Sequence, residues 1–208
     1  MSHRLVVLAS GEGTLLQSLI DGCAAGSVPA SIVAVGADRK GTAAARRADS
    51  AGIETFVCRV GDFAGRDEWD EALTRTCAGF RPDLVVSAGF LKLLGPVFVA
   101  EFSGRCINSH PALLPSFPGL HGVRDALDYG VKVTGCTVFL VDAGLDSGPV
   151  VAQAAVPVQD DDDEETLTER VKSRERILLV ETVTAMLGRG WSVSGRTVRL
   201  GQQGGTTR

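Results

Sequence analysis

The sequence predicts an α/β fold with a mainly parallel, twisted sheet, helices on both of its faces, and strands in the second half that run partly antiparallel. Three observations carry this expectation. Short, valine-rich apolar runs alternate with segments whose apolar residues or alanines recur at helical spacing. The runs are continuous rather than alternating, as strands covered on both faces must be. Beyond residue 102 the texture changes, and two longer apolar runs follow one another with only a glycine-rich connection between them.

Leu5–Ala9 reads as the first strand, and Gly11 and Gly13 turn the chain into a helix over Thr14–Gly22. The pattern repeats through the strand Ile32–Gly36, the helix Thr42–Ala51, the strand Thr55–Val57, the helix Arg66–Gly79 and the strand Leu84–Ser87. Such repeats close by right-handed crossovers, and ligands lie outside the carboxyl ends of the strands. Ile107–His110 is a short strand that runs into the loop Pro111–Gly122, punctuated by Pro115 and Pro118. Lys132–Val141 and Val150–Val158 are strands on either side of a glycine-rich connection. The acidic cluster Asp160–Glu165 precedes a long helix, Thr166–Leu187; its carboxylates suit the positive amino end of that helix rather than a metal. Leu167, Val171, Leu178 and Val183 mark the face that docks on the sheet. A small strand pair around Ser194–Gly195 and a polar tail expected to fray close the chain. With no internal repeat and no Gly-, Ser- or Pro-rich linker, residues 1–208 read as one domain, with halves 1–102 and 103–190 and a closing segment 191–208.

Composition narrows the function. A chain of 208 residues with 44% hydrophobic residues buries a sizeable core. A net charge of −4 and no basic block make it a poor general nucleic-acid binder, though a small anion needs only a few backbone donors. The five cysteines (Cys23, Cys58, Cys77, Cys106 and Cys136) are odd in number and form no CxxC pair, so they read as reduced, mostly buried thiols. With only His3, His110 and His121 available, no Cys/His metal cluster is expected. The first apolar run leads straight into a glycine turn, unlike a secretory signal, and no stretch approaches the ~20 apolar residues of a membrane span. The expected setting is the cytoplasm.

Two places carry chemistry. Ser10-Gly11-Glu12-Gly13-Thr14 lies between a strand and a helix, where glycines let the backbone approach an anion and the helix end offers free N–H groups. The third glycine of a dinucleotide fingerprint is missing and no acidic residue is placed for a ribose, so a single phosphate fits better than a pyrophosphate. The same residues also suit a plain strand-to-helix turn. The second place is Asn108-Ser109-His110, where strand alternation puts Asn108 and His110 on one face. A histidine moves protons near neutral pH and a carboxamide donates to a developing oxyanion. A capped strand end with a structural histidine is the alternative. The loop Asp142–Pro149 offers Asp146, an aspartate able to orient the imidazole and favour its charged form.

At these residues the chain resembles the phosphoribosylglycinamide formyltransferases, a family of the folate-dependent formyltransferase and hydrolase superfamily. The likeness rests on VVLASGEGTLLQSLIDG, DLVVSAGFLKLLGP, INSHPALLPSFPGLHG, VTGCTVFLVDAGLDSGPVVAQAAVPV and the helix around ERVKSRERILLV. The combination NxHPALLPxxPGxHG with DxGxDxGP is specific to that superfamily. The resemblance implies a Rossmann-like fold, a nucleotide-binding half in 1–102, and a catalytic and folate-binding half in 103–190. It implies transfer of the formyl group of 10-formyltetrahydrofolate, a cosubstrate, to the amine of 5-phosphoribosylglycinamide, with no metal and no tightly bound cofactor.

Residue by residue, the resemblance implies that Asn108 stabilises the oxyanion, His110 moves protons and Asp146 holds His110. Gly13, Thr14 and Leu15 would take the phosphate through backbone N–H groups, and Glu175 the ribose hydroxyls. Leu91, Lys92, Leu93 and Leu94, with Arg66 and Asn108, would line the folate pocket. The family's phosphate loop often reads GNGSN; here Leu15 lacks a side-chain donor and Glu12 brings a carboxylate, so backbone contacts are expected to dominate. Lys92 stands where many members have arginine.

The closest rival is the hydrolase that deformylates 10-formyltetrahydrofolate; its usual amino-terminal regulatory domain is expected to be absent here, as the first strand begins near residue 4. Methionyl-tRNA formyltransferases carry a carboxy-terminal tRNA domain, which is expected to be absent here, and the acidic composition also speaks against that reading. Sugar-nucleotide formyltransferases fit the phosphate loop and Glu175 less well. A non-catalytic nucleotide- or folate-binding module would not need Asn108, His110 and Asp146 together. The expected partners are small molecules, with no nucleic acid and no membrane, acting on a monomer or homodimer.

Overall fold

The computed structural model describes residues 2–201. Its chain order is β1 (His3–Ala9), α1 (Thr14–Ala24), β2 (Ala30–Ala37), α2 (Ala43–Ser50), β3 (Thr55–Val57), α3 (Arg66–Gly79), β4 (Leu84–Ser87), α4 (Pro96–Glu101) and β5 (Cys106–His110). There follow α5 (Gly122–Tyr129), β6 (Val133–Leu140), β7 (Val150–Pro157), α6 (Glu164–Arg189), β8 (Trp191–Ser194) and β9 (Thr197–Leu200). The polar tail expected to fray begins near the end of β9 and lies largely outside the described residues.

One sheet of seven strands runs in the order β3-β2-β1-β4-β5-β6-β7. The first five strands pair in parallel, while β5–β6 and β6–β7 pair antiparallel. The expected mainly parallel α/β architecture with a partly antiparallel second half is therefore what forms. β8 and β9 make a separate two-stranded hairpin.

Strand alternation divides the core into two layers. On β1, Leu5, Val7 and Ala9 face a cluster with Leu16 and Leu19 of α1 and Leu167, Val171, Leu179 and Val183 of α6. Val6 and Leu8 face the other way, toward Trp69, Leu73 and Cys77 of α3, Phe98 of α4 and Phe102 just after it. Both faces of a central strand are thus apolar, which is why its sequence does not alternate. Trp69 is fully buried and donates its indole N–H to the Cys58 carbonyl at 3.0 Å, so it belongs to the core.

Several boundaries differ from the sequence expectation. The long helix starts at Glu164, because Asp163 caps it with a reciprocal pair of bonds to Thr166. The acidic cluster therefore runs through the cap into the first turn, and Asp162 within it is held well below the usual carboxylate range by Arg170. Thr42 is the cap of α2 rather than part of it. Two short helices escaped the periodicity argument. α4 has only six residues, and its amino end is organised from outside by buried Asp70, whose carboxylate accepts the N–H groups of Gly95, Val97 and Phe98. α5 follows directly from the proline loop at Gly122.

Candidate active site

β5 ends in the middle of the sheet, between parallel β4 and antiparallel β6, and carries Asn108, Ser109 and His110 to that edge. Asn108 is half-buried and His110 is buried. The His110 ring is held from two sides. Its Nε2 lies 2.8 Å from the Phe117 carbonyl oxygen, and its Nδ1 lies 3.6 Å from Asp146 Oδ2. A carbonyl only accepts, so the Nε2 proton belongs to the Phe117 bond and Nδ1 is the atom turned toward the aspartate. Ser109 makes a different contact: its hydroxyl donates to Glu175 of α6 at 2.6 Å.

Asp146 comes from the loop between β6 and β7, at a left-handed φ of 48° that few side chains adopt. Its Oδ2 also accepts the Gly119 N–H at 2.8 Å, which ties the loop to the proline segment. Within the loop, Asp142 Oδ1 accepts the Gly144 N–H and the Ser147 hydroxyl at 3.0 and 2.7 Å. At Gly148 any side chain would collide with the Leu140 carbonyl, so the strand following Pro149 can pair closely only with glycine there.

These loops and the glycine turn share one cleft of about 470 Å³. Its walls include Gly11–Leu15, Gly89–Leu94, Asn108, Ser109, His110, Leu120, Leu145, Asp146, Lys172 and Glu175. Gly13 has φ 70°, and a Cβ there would lie 2.7 Å from Ala44 Cα, so the turn needs glycine on both counts. α1 begins without a side-chain cap and without an acidic first turn, which leaves its amino end suited to an anion. The turn is braced from behind: Ala44 N–H donates to the Gly11 carbonyl at 3.0 Å and Arg47 Nε to the Glu12 carbonyl at 2.8 Å. Leu15 is buried.

Across the cleft, Leu91 and Leu93 are exposed and Leu94 is buried. Two backbone groups of this segment are already engaged. The Leu91 N–H donates to Ser10 Oγ at 2.8 Å, and the Leu93 carbonyl accepts from Arg66. Arg66 itself stands outside the lining of the cleft, with its guanidinium 4.9 Å from the Trp69 ring. It holds the wall through the Leu93 carbonyl. Lys92 does line the cleft, and its ammonium pairs at 3.1 Å with buried Asp38.

On the α6 side, burial pushes the Glu175 carboxyl up from its ordinary value, while the Ser109 bond and the Lys172 and Arg176 charges pull it down. Lys172 is a cleft residue that the sequence reading did not single out. Its i, i+3 spacing from Glu175 on one helix was the available signal, because residues so spaced share a face. His121 is exposed and lies outside the lining. Among the described residues, no group of three or more His, Cys, Asp and Glu side chains is placed to hold a metal ion. No described helix is long and apolar enough to cross a membrane.

Known proteins resemble this chain over most of its length. Residues 3–183 match the formyl transferase family model. The chain is 58% identical over 200 residues to a phosphoribosylglycinamide formyltransferase of Mycobacterium tuberculosis, covering 96% of this chain and 92% of that protein. It is 38% identical over 192 residues to the Escherichia coli protein of the same name, covering 92% and 88%. A crystal structure of glycinamide ribonucleotide transformylase 1 from Symbiobacterium toebii superposes with a TM-score of 0.93 at 39% identity, over 96% of this chain and 94% of that one.

Proposed function

This chain belongs to the formyl transferase family, and on that premise we propose how its cleft divides the work between two substrates. The reaction is transfer of the formyl group of 10-formyltetrahydrofolate to the amine of 5-phosphoribosylglycinamide, giving formylglycinamide ribonucleotide and tetrahydrofolate in purine biosynthesis. The folate is a cosubstrate that leaves after each turnover.

In our reading, backbone N–H groups of Gly13, Thr14 and Leu15 take the nucleotide phosphate at the amino end of α1, helped by the Lys172 ammonium. Glu175, steadied by Ser109, accepts the ribose hydroxyls. The folate lies against Leu91, Lys92, Leu93 and Leu94. Backbone groups of that segment other than the Leu91 N–H meet the polar edge of the pterin, and Arg66 keeps the wall in place.

The acceptor nitrogen attacks the formyl carbon, and its lone pair forms the new C–N bond while the carbonyl electrons move onto oxygen. Asn108 donates to that oxyanion. His110 Nδ1 relays the proton that leaves the amine to the departing folate nitrogen as its C–N bond breaks. Asp146 orients the ring and offsets the charge it gains in transit. One observation carries these roles: His110 is fixed by Phe117 and Asp146 at the edge where Asn108 meets the cleft.

We also infer a cytoplasmic enzyme, monomer or homodimer, that works on small molecules without nucleic acid. The acidic composition and the buried free thiols support that reading. A spectrophotometric assay of folate product, with and without the nucleotide, tests the proposal. Turnover only in the presence of 5-phosphoribosylglycinamide is expected; turnover without it would make the chain a hydrolase of the formyl folate. Loss of turnover in Asn108→Ala, His110→Ala and Asp146→Asn is the expected companion result.

A further inference from the structure

The β8–β9 hairpin has no part in the chemistry described above, yet it touches both elements from which the His110–Asp146 pair is built. At its base, the Trp191 indole N–H donates to the Gly104 carbonyl at 2.8 Å, just ahead of β5. The Gly201 N–H closes the same end onto the Gly190 carbonyl at 3.0 Å. Along its length β9 packs against β7, the strand that leaves the Asp146 loop. At its tip, Gly195 turns the chain with φ 58°, and Arg196 reaches back to that loop. Its Nη2 donates to the Ser147 carbonyl at 2.9 Å and approaches the Gly148 carbonyl at 3.5 Å.

Those two carbonyls immediately follow Asp146. The aspartate sits at a left-handed φ of 48°, a conformation that persists only when its surroundings impose it. The Asp142 carboxylate braces the loop from within, through Gly144 and Ser147. Gly148 packs against Leu140 behind it. The Gly119 N–H holds the aspartate at its carboxylate, and Arg196 adds a charged donor on the two backbone carbonyls that follow it.

We propose that the C-terminal hairpin is a strap that keeps the Asp146 loop in register with His110, and that Arg196 is its positioning residue. The inference rests on the reading of Asp146 as the partner of His110. The strap acts on the rate rather than on substrate capture, because the glycine turn, Glu175 and the Leu91–Leu94 wall are elsewhere in the cleft.

The test is steady-state kinetics of the full chain as Arg196→Ala, Arg196→Lys, Trp191→Phe and Asp146→Asn, with amide hydrogen exchange over residues 142–149. For Arg196→Ala a fall in kcat of about 5- to 20-fold is expected, as for one lost charged hydrogen bond. The KM for the nucleotide should stay within about 2-fold. Exchange over 142–149 should speed up, and the pH–rate profile should change with it. Arg196→Lys should recover part of the rate, and Trp191→Phe, which removes the donor at the base, should show the same pattern more weakly. If Asp146→Asn is crippled while Arg196→Ala keeps kcat, pH profile and exchange, the strap is overturned and the pair stands. If Asp146→Asn itself keeps its rate, the pair and the strap fall together. A fall in melting temperature with unchanged kcat would reduce the hairpin to structural packing and also overturn the proposal.

Discussion

The parallel side of the sheet and its antiparallel side furnish the cleft with different materials. Behind β1 and β4, on the parallel side, the chain presents backbone: the Gly11–Leu15 turn and the Gly89–Leu94 segment. At β5, and in the loop between β6 and β7, it presents side chains: Asn108, His110 and Asp146. A backbone site depends on turn geometry and on what packs beneath it, here Ala44, Arg47 and Ser10. A side-chain site depends on strand pairing between distant segments. The contrast teaches that the first kind breaks when a residue cannot adopt the turn, and the second when a single functional group is lost.

The largest effect should come from the side-chain region. His110→Ala should lower kcat by about 10²- to 10⁴-fold. Titration calorimetry with the nucleotide should find its affinity nearly intact. A variant that retained kcat would erase the contrast at its strongest point.

On the parallel side, Gly13→Ala should raise the nucleotide KM and cost about 1–3 kcal/mol of stability, since φ 70° and the contact with Ala44 both oppose a side chain. Gly11→Ala sharpens the point, because no protein atom crowds a side chain at that position and its stability should stay close to parent. Equal behaviour of the two variants in chemical denaturation would show that the turn is not held by its geometry.

Asp70→Ala probes the frame under the same side. It strips three N–H groups at the start of α4 of their acceptor and should cost about 1–3 kcal/mol in a thermal melt. The nucleotide KM should barely move. A kinetic effect larger than the stability effect would place α4 inside the site.

The smallest and most diagnostic effect concerns Glu175, where the two sides meet. Burial raises its carboxyl on folding, and a group so raised favours the native state at low pH and loses that advantage as pH climbs through the folded value. Glu175→Gln keeps an acceptor for Ser109 but removes the ionisation. Its melting temperature relative to parent should therefore rise as pH increases from about 4.3. The nucleotide KM should rise too. A melting difference independent of pH would mean that Glu175 is not desolvated as its contacts with Ser109 and α6 imply.

Much of this was legible in the chain itself. Continuous apolar runs such as Leu5–Ala9 could only be strands covered twice, and glycine after the first of them could only be a turn into a helix. For the NxH pair and the DxGxDxGP loop, residue type alone left a structural histidine open, and it was the resemblance to the formyltransferases that pointed to chemistry there. The short helices α4 and α5 were not legible, because six or eight residues carry too little periodicity and α4 takes its cap from Asp70, 26 positions upstream of Pro96. Arg66 was read as lining the folate pocket with Leu91–Leu94, and its grip on the Leu93 carbonyl was not legible. A long cation near a pocket has many rotamers, and the sequence does not say which acceptor it finds.

Local sequence was enough for the alternation of strands and helices, for a tight glycine turn after the first strand and for the side-chain types available at Asn108, His110 and Asp146, all of which depend on a residue and its neighbours. It took the tertiary arrangement to bring His110 Nδ1 to face Asp146, Ser109 to Glu175, Lys92 to buried Asp38 and Arg196 to the loop that carries Asp146. These contacts join segments far apart in the chain, and burial and strand register, which no local pattern records, are what bring them within reach.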